Sequence, residues 1–154
     1  MRGQVLSALI LAAAACSAAT AIDDDVAISI EVDKASAAIG QAARVTIAVV
    51  NNSSHSVGVL APPCEAAFEV FDRQGLRVGP WVGRACALVA PAPAVIEPGR
   101  SLTIVRIWDG SAQGTAALPT HLPVGTYSVR ARIVVNGKEK KSVPFTVSLS
   151  APRI

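Results

Sequence analysis

The chain has 154 residues, with 14 Lys and Arg against 11 Asp and Glu, which gives a formal net charge of +3. Aromatic residues make up only 4% of it, and together with the export signal described below this argues against nucleic acid as a partner. The length is that of one domain able to bury its own core without metal ions or many disulfides.

The first residues match the pattern of a secretory signal peptide. A basic start, Met1-Arg2, precedes an apolar stretch over residues 5–15, and Ala19-Thr20-Ala21 supplies a small-x-small cleavage site. The apolar stretch is too short to cross a bilayer. We therefore expect residues 1–21 to be removed during export.

Export predicts a single mature domain, residues 22–154, in the periplasm or outside the cell. No later apolar run reaches the roughly 18 residues that a membrane helix needs, so we expect no membrane span. The alternative is a lipoprotein anchored through Cys16, although Ala13 stands where a lipobox has leucine or a similar residue. The oligomeric state is left open by the sequence.

Two cysteines, Cys64 and Cys86, remain once Cys16 leaves with the signal. In an oxidising compartment we expect them to pair in a disulfide. Such a bond would close a loop of roughly 23 residues and stabilise the fold by about 3 kcal/mol on the chain-entropy account. A reactive thiol or a metal pair is the alternative, but there is no Cys-x-x-Cys spacing, and His55 and His121 each stand alone.

Apolar and polar residues alternate with a period of two along most of the mature chain, which predicts β-strands. The alternating or extended stretches lie at residues 26–33, 44–49, 57–60, 67–71, 76–78, 102–108, 127–133 and 143–149. The turn signals between them include Asn51-Asn52-Ser53-Ser54, Asp72-Arg73-Gln74-Gly75, Glu97-Pro98-Gly99 and Asn136-Gly137. The last of these favours a hairpin with a type I′ turn.

This pattern predicts an antiparallel immunoglobulin-like β-sandwich of about seven to nine strands, because each strand has one apolar face to bury against a second sheet. A closed barrel is the alternative. The pair Ile107-Trp108 interrupts the alternation, so we expect a bulge or a strand end at Trp108.

Motifs of enzymes and metal sites are missing from the sequence. It has no Gly-x-Ser-x-Gly, no His-Glu-x-x-His, no phosphate loop and no dinucleotide fingerprint. Calcium at Asp23-Asp24-Asp25 would need more oxygen ligands than the pattern offers. A copper carrier would need several methionines, thiolates or imidazoles, and the sole methionine is Met1. We therefore expect no catalytic residue, no metal and no cofactor.

An ordered set of short motifs, spanning about residues 40–135, resembles the BsuPI-type intracellular proteinase inhibitor family. The set consists of the strand ending in Asn51, the strand and turn from Phe68 to Gly75, Ile96-Glu97-Pro98-Gly99, Trp108-Asp109-Gly110 and Pro123-Val124-Gly125-Thr126-Tyr127. The chain departs from the family in its export signal and in the proline-rich segment 79–95, which holds Cys86.

The resemblance implies an immunoglobulin-like domain in which the motif residues have structural roles. These are Asn51, Gly75, Pro98, Gly99, Trp108, Gly110, Gly125 and Tyr127. We expect the hydroxyl of Tyr127 to bond back to nearby backbone, as in the tyrosine corner of immunoglobulin-like domains.

The resemblance also implies a protein partner, with a serine protease as the specific candidate, blocked by an extended loop that the sandwich holds rigid. Arg84-Ala85 would suit a trypsin-like pocket. The second candidate is the long loop 110–122, with Gly110, Gln113, Leu118 and His121 as contact residues. The competing interpretation is an interaction module that docks an envelope or secreted partner without inhibiting a protease.

Overall fold

The computed structural model describes residues 19–23, 25–60, 67–80, 93–112 and 121–152, with the backbone alone described for 19–23. No helix in these ranges is long and apolar enough to cross a membrane. The same ranges contain twelve strands: β1 (Ala19–Asp23), β2 (Val26–Val32), β3 (Ser36–Ala38), β4 (Ala43–Asn51), β5 (Val57–Leu60), β6 (Phe68–Phe71), β7 (Arg77–Gly79), β8 (Ala94–Ile96), β9 (Ser101–Trp108), β10 (Gly125–Val135), β11 (Lys138–Lys141) and β12 (Phe145–Ser150).

The strands form two sheets. The first has the order β1-β2-β4-β9 and is antiparallel throughout. The second has the order β3-β12-β10-β5-β8, with β11 and β6 also paired to β10, and β7 to β6. Its one parallel pair among the described strands is β3 with β12. The architecture is an immunoglobulin-like β-sandwich, as the alternation of the sequence predicted.

The core lies between the two sheets, where every second side chain of the long strands is buried. In β4 the inward residues are Val45, Ile47 and Val49, and in β10 they include Val129 and Ala131; all are fully buried. Phe68 and Trp108 meet edge to face across the sandwich, with ring centroids 6.3 Å apart. Such a pair stabilises by about 1 kcal/mol beyond the apolar area it buries.

Strand β10 is the centre of the second sheet, and it exchanges neighbours along its length. Its first half pairs with β12 and β6, and its second half with β11 and β5. Strands β11 and β12 are one strand interrupted at Ser142, whose hydroxyl accepts the amide of Ala131 at 2.9 Å. Asn136 and Gly137 between β10 and β11 have φ of 47° and 79°, as a type I′ turn requires.

The structure corrects two details of the prediction. The described residues form twelve strands rather than seven to nine, because short strands such as β3, β8 and β11 add to the predicted set. The final strand, β12 (Phe145–Ser150), overlaps the predicted residues 143–149. Trp108 does end β9, but the alternation is intact there: Ile107 points outward and is 66% exposed, while Trp108 is buried.

Two sequence predictions fall on or beside residues outside the described ranges. Cys64 and Cys86 both lie outside them, so their pairing stays a prediction. The expected cleavage point after Ala21 falls within β1, which pairs with β2 through the register Ala21↔Ile28.

Candidate functional site

Several of the turns and loops lie at the two ends of the sandwich. The first, called the turn end, holds the turns at 51–56, 97–100 and 136–137, because β4 and β10 end there and β9 begins there. The second, called the loop end, holds residues 108–125 and the turn at 72–75. The loop end carries the longer connection and is the candidate site.

A set of hydrogen bonds closes the base of this connection. Ser111 and His121 form an antiparallel bridge, and the amide of Leu122 donates to the carbonyl of Gly110 at 2.8 Å. Residues 108–112 and 121–127 therefore run side by side, and we call them the loop stem. Residues 113–120, which join its two sides, lie outside the described ranges.

Two aromatic residues of the core anchor the stem by hydrogen bonds to its backbone. The indole Nε1 of Trp108 donates to the carbonyl of Ser111 at 3.0 Å, and the hydroxyl of Tyr127 donates to the carbonyl of Pro123 at 2.7 Å. The second bond is the predicted tyrosine corner. Because both rings are buried in the core, each side of the stem is tied to the packed interior.

Asp109 and Gly110 shape the turn that leads into the stem. The carboxylate of Asp109 accepts the amide of Ser111 at 3.0 Å, and its carbonyl accepts the amide of Gly40 at 3.0 Å. Gly110 has φ of 79°, and a Cβ there would lie 3.2 Å from Leu149 Cδ1. Glycine is thus favoured here by the positive φ and by the close approach of Leu149.

The charge of Asp109 is stabilised by its place in this turn. Burial raises the pKa of its carboxyl, but the hydrogen bonds from Ser111, a backbone hydrogen bond at Asp109 and the charge of His121 together outweigh burial, so the pKa lies below its ordinary value. The opposite holds for Tyr127, where burial first and the charge of Asp72 second raise the pKa of the phenol. At neutral pH Asp109 is therefore charged and Tyr127 keeps its proton.

The structure separates the predicted contact residues. His121 is exposed at the edge of the stem, whereas Gly110 is buried against Leu149 and supports the loop from below. Gln113 and Leu118 lie outside the described ranges. So do Arg84 and Ala85 of the other predicted loop.

Two shallow depressions lie at the loop end. One, of about 440 Å³, lies between the turn at 72–74 and residues 124–127, where Arg73 donates to the Thr126 hydroxyl at 3.2 Å. The other, of about 380 Å³, is lined by residues 38–41 and Pro152. Val124 beside the first and Leu76 after the same turn are more than half exposed.

At the turn end, Asn51 fastens the two sheets together. Its side chain is fully buried, and Nδ2 donates to the carbonyls of His55 and Ile96 at 2.8 and 2.9 Å. Its Oδ1 accepts from the amide and the hydroxyl of Ser53. Gly99 donates its amide to the Asn51 carbonyl at 2.8 Å. All polar groups of this amide are satisfied, so Asn51 has a structural role.

The other motif residues are also structural. Gly75 and Gly99 have φ of 80° and 69° in their turns, and Pro98 precedes Gly99 in a turn closed by the Arg100 amide on the Glu97 carbonyl at 3.0 Å. A Cβ on Gly125 would lie 3.6 Å from the Tyr127 ring. Gly75, Pro98 and Gly99 therefore shape turns, whereas Gly125 packs beside the Tyr127 ring at a distance that leaves room for a Cβ.

An ionic cluster that sequence reasoning missed covers the outer face of the second sheet. Glu69 on β6 is buried beside Arg77 at 3.1 Å, Lys141 at 3.5 Å and Arg132 at 4.0 Å. Glu139 pairs with Arg132 at 2.7 Å, and hydrogen bonds from Arg132 and then Lys141 lower the pKa of its carboxyl. The cluster links β6, β7, β10 and β11. The sequence signal that could have indicated it is the alternation in β6, where Glu69 lies between Phe68 and Val70.

No metal site is evident in the described ranges, where no three His, Cys, Asp or Glu residues lie close enough to hold an ion.

The fold and the loop stem define the class of the protein, which is an immunoglobulin-like β-sandwich with a braced loop at one end.

Comparisons with known proteins add no family to this class. No protein-family model matches the chain, and no curated protein matches it. Solved structures with a similar arrangement include an alkylpurine DNA glycosylase from Pseudomonas fluorescens bound to abasic-site DNA, 13% identical over 82% of this chain and 31% of that one, with a TM-score of 0.48. A β-glucosidase from Erythrobacter marinus is 11% identical over 85% of this chain and 16% of that one, with a TM-score of 0.47.

A third similar structure is a CARDB domain from Pyrococcus furiosus in complex with di-metal ions. It is 14% identical over 82% of this chain and 90% of the domain, with a TM-score of 0.43. This chain spans about a third of the glycosylase and about a sixth of the glucosidase. Likenesses this distant carry no argument about ligands or activity.

Proposed function

We propose that the chain is an exported, non-enzymatic binding protein, and that the loop stem presents residues 113–120 to a protease whose cleft the loop occludes. The observation that carries the proposal is the closed stem. Both ends of the loop are joined by the Ser111–His121 bridge and anchored by Trp108 and Tyr127.

A closed stem favours binding, because a loop whose ends are already fixed loses less conformational entropy when it binds a partner. Two buried aromatic side chains, Trp108 and Tyr127, donate hydrogen bonds to backbone carbonyls on the two sides of this loop. His121 is exposed beside the loop, where a docked partner would contact it.

Protease as the partner rests on the resemblance of the ordered motifs to the BsuPI-type inhibitor family. The loop end contains two of those motifs, Trp108-Asp109-Gly110 and Pro123 to Tyr127. Arg84-Ala85 is a second contact under the same proposal, suited to a trypsin-like pocket. Export rests on the signal pattern of residues 1–21, and the non-enzymatic character on the missing catalytic motifs.

Docking without inhibition is the competing function, in which the partner is an envelope or secreted protein. It is favoured by the surface around the stem. Val124 and Leu76 are 62% and 66% exposed, and the depression between residues 72–74 and 124–127 is shallow. Exposed apolar side chains beside an open surface suit a broad protein contact.

Titration against purified proteases distinguishes the two functions. We expect the exported chain to inhibit a subtilisin-like or a trypsin-like enzyme at nanomolar concentrations while itself remaining uncleaved. Arg84→Ala should weaken inhibition of the trypsin-like enzyme, whereas Ser54→Ala, an exposed change at the turn end, should leave it unchanged. If neither protease is inhibited by intact protein, inhibition is excluded, and a loop-dependent complex with a non-protease envelope protein would establish docking.

A further inference from the structure

One strand of the fold contains residues that export would remove. Strand β1 lies along the outer edge of β2, with the register Ala19↔Ile30, Thr20↔Ser29 and Ala21↔Ile28. Cleavage after Ala21 takes away all three of these partners. Ile22 and Asp23 can still lie opposite Ala27 and Val26, and these two residues must move aside for any strand that continues past residue 28 on this edge.

Cleavage therefore frees the edge at residues 28–30, and Glu31 and Val32 beside them have no partner in β1. A free strand edge offers a row of backbone N–H and C=O groups to any other strand, and proteins usually protect such an edge with charged side chains, above all lysine, with proline or with a bulge. Residues 28–32 read Ile-Ser-Ile-Glu-Val, with Glu31 as the one charged side chain and no lysine or proline. Strand β11, which pairs with β10 alone among the described strands, reads Lys-Glu-Lys-Lys. The β11 edge thus has four charged side chains, and the edge at residues 28–32 has one.

We propose that removal of the signal peptide opens this edge and that residues 28–32 of a second copy occupy it, antiparallel about a two-fold axis at Ile30. The inference rests on the export part of the proposed function, and it is independent of the partner bound at the loop end. The product is a symmetric dimer in which two free sheet edges, each five residues long, are joined into one continuous sheet.

The sequence of the edge is complementary to itself in this register. Ile30 lies opposite Ile30 of the second copy, and Ile28 lies opposite Val32. These three side chains face the core and are buried in the single chain, so the joined sheets keep one continuous inner face. A two-fold interface of this kind requires the same patch to match itself.

The outward side chains also match. Ser29 lies opposite Glu31 of the second copy, so the two glutamates do not face each other across the axis. Like charges directly opposite one another destabilise a strand pair, whereas a hydroxyl opposite a carboxylate does not. The register therefore avoids the one repulsion that residues 28–32 could produce.

The test compares two exported chains that differ only at the start. One uses the natural signal and is verified by mass to begin at Ile22; the other carries a foreign signal placed so that the product begins at Ala19 and retains β1. By sedimentation we expect the first to have twice the chain mass and the second to be monomeric. A monomeric Ile22 chain, or dimers of both chains, would overturn the inference.

Cross-linking fixes the register. Ser29→Cys chains mixed with Glu31→Cys chains should form a covalent dimer on mild oxidation, because these positions lie opposite each other. Glu31→Cys mixed with Thr46→Cys should not, since Thr46 lies on β4, one strand away from the edge. Equal cross-linking in both mixtures would contradict the register.

The outcomes also separate this inference from the proposed function. If the exported product keeps residues 19–21, both the predicted cleavage and the dimer fail, while protease titration still tests the loop end. If the product begins at Ile22 and is monomeric, the dimer alone fails.

Discussion

The two ends of the sandwich use the same device to different effect. At the turn end, the buried amide of Asn51 bonds to its own turn and to Ile96 of the opposite sheet. At the loop end, Trp108 and Tyr127 bond to Ser111 and Pro123. In both places a buried side chain donates hydrogen bonds to backbone carbonyls at the end of the sandwich.

The difference lies in how much chain each device encloses. Asn51 forms hydrogen bonds with Ser53 and His55, only two and four residues away. The short turn that follows Asn51 is therefore held by hydrogen bonds within itself. The stem at the loop end leaves residues 112–120 between Ser111 and His121. One end is closed and the other presents a loop, which is why we assign binding to the loop end and stability to the turn end.

The largest expected effect is at the closed end. Asn51→Ala removes four side-chain hydrogen bonds and leaves the carbonyl of Ile96 and the amide of Ser53 without these partners. We expect a loss of about 4 kcal/mol in the free energy of unfolding. Denaturant unfolding measures it, with the exposed Asn52→Ala as a control that should change stability by less than about 0.5 kcal/mol. A similar loss in both variants would refute the special role of Asn51.

A smaller loss is expected at the open end. Tyr127→Phe keeps the ring in the core but removes the bond to the Pro123 carbonyl, which should cost about 1 kcal/mol. Because this bond also anchors the stem, the variant should bind its partner more weakly than its stability alone explains. Weaker binding with an unchanged melting temperature would show that the tyrosine contacts the partner and is not a structural anchor.

The smallest effect is a dependence of the loop end on acid. Because the pKa of Asp109 is lowered in the folded chain, its contribution is present above the ordinary aspartate value of about 3.9 and is lost as the pH falls through the folded value. Asp109→Asn keeps an acceptor for Ser111 but does not titrate. The difference in stability between wild type and this variant should therefore shrink below about pH 4. A difference that stays constant with pH would contradict this origin.

Period-two alternation made most of the fold predictable. A strand with one buried face has an apolar residue at every second position, and this pattern is visible in the sequence. Strands β2, β4 and β10 follow the predicted pattern closely. Strand β11 escaped prediction because its four residues are all charged, and only its pairing with β10 makes it a strand. The three-residue strands β3 and β8 are too short to establish a period.

The site was predictable only where a local motif carried it. The Pro-x-Gly-Thr-Tyr motif predicted the bond of Tyr127 to backbone four positions before it. The bond from Asn51 to Ile96 joins residues 45 positions apart, and no spacing in the sequence indicates it. The bracing of Ser111 by Trp108 likewise depends on how the chain turns at Gly110.

The central claim, that the loop end binds a protease through the loop on its stem, is tested most directly by replacing residues 113–120 with a Gly-Ser segment of equal length. Wild type and this variant should melt at nearly the same temperature, because the stem and the core are retained. Titrated against the same protease, wild type should inhibit at one-to-one stoichiometry and the variant should not. Equal inhibition by both chains, or none by intact wild type, would contradict the account.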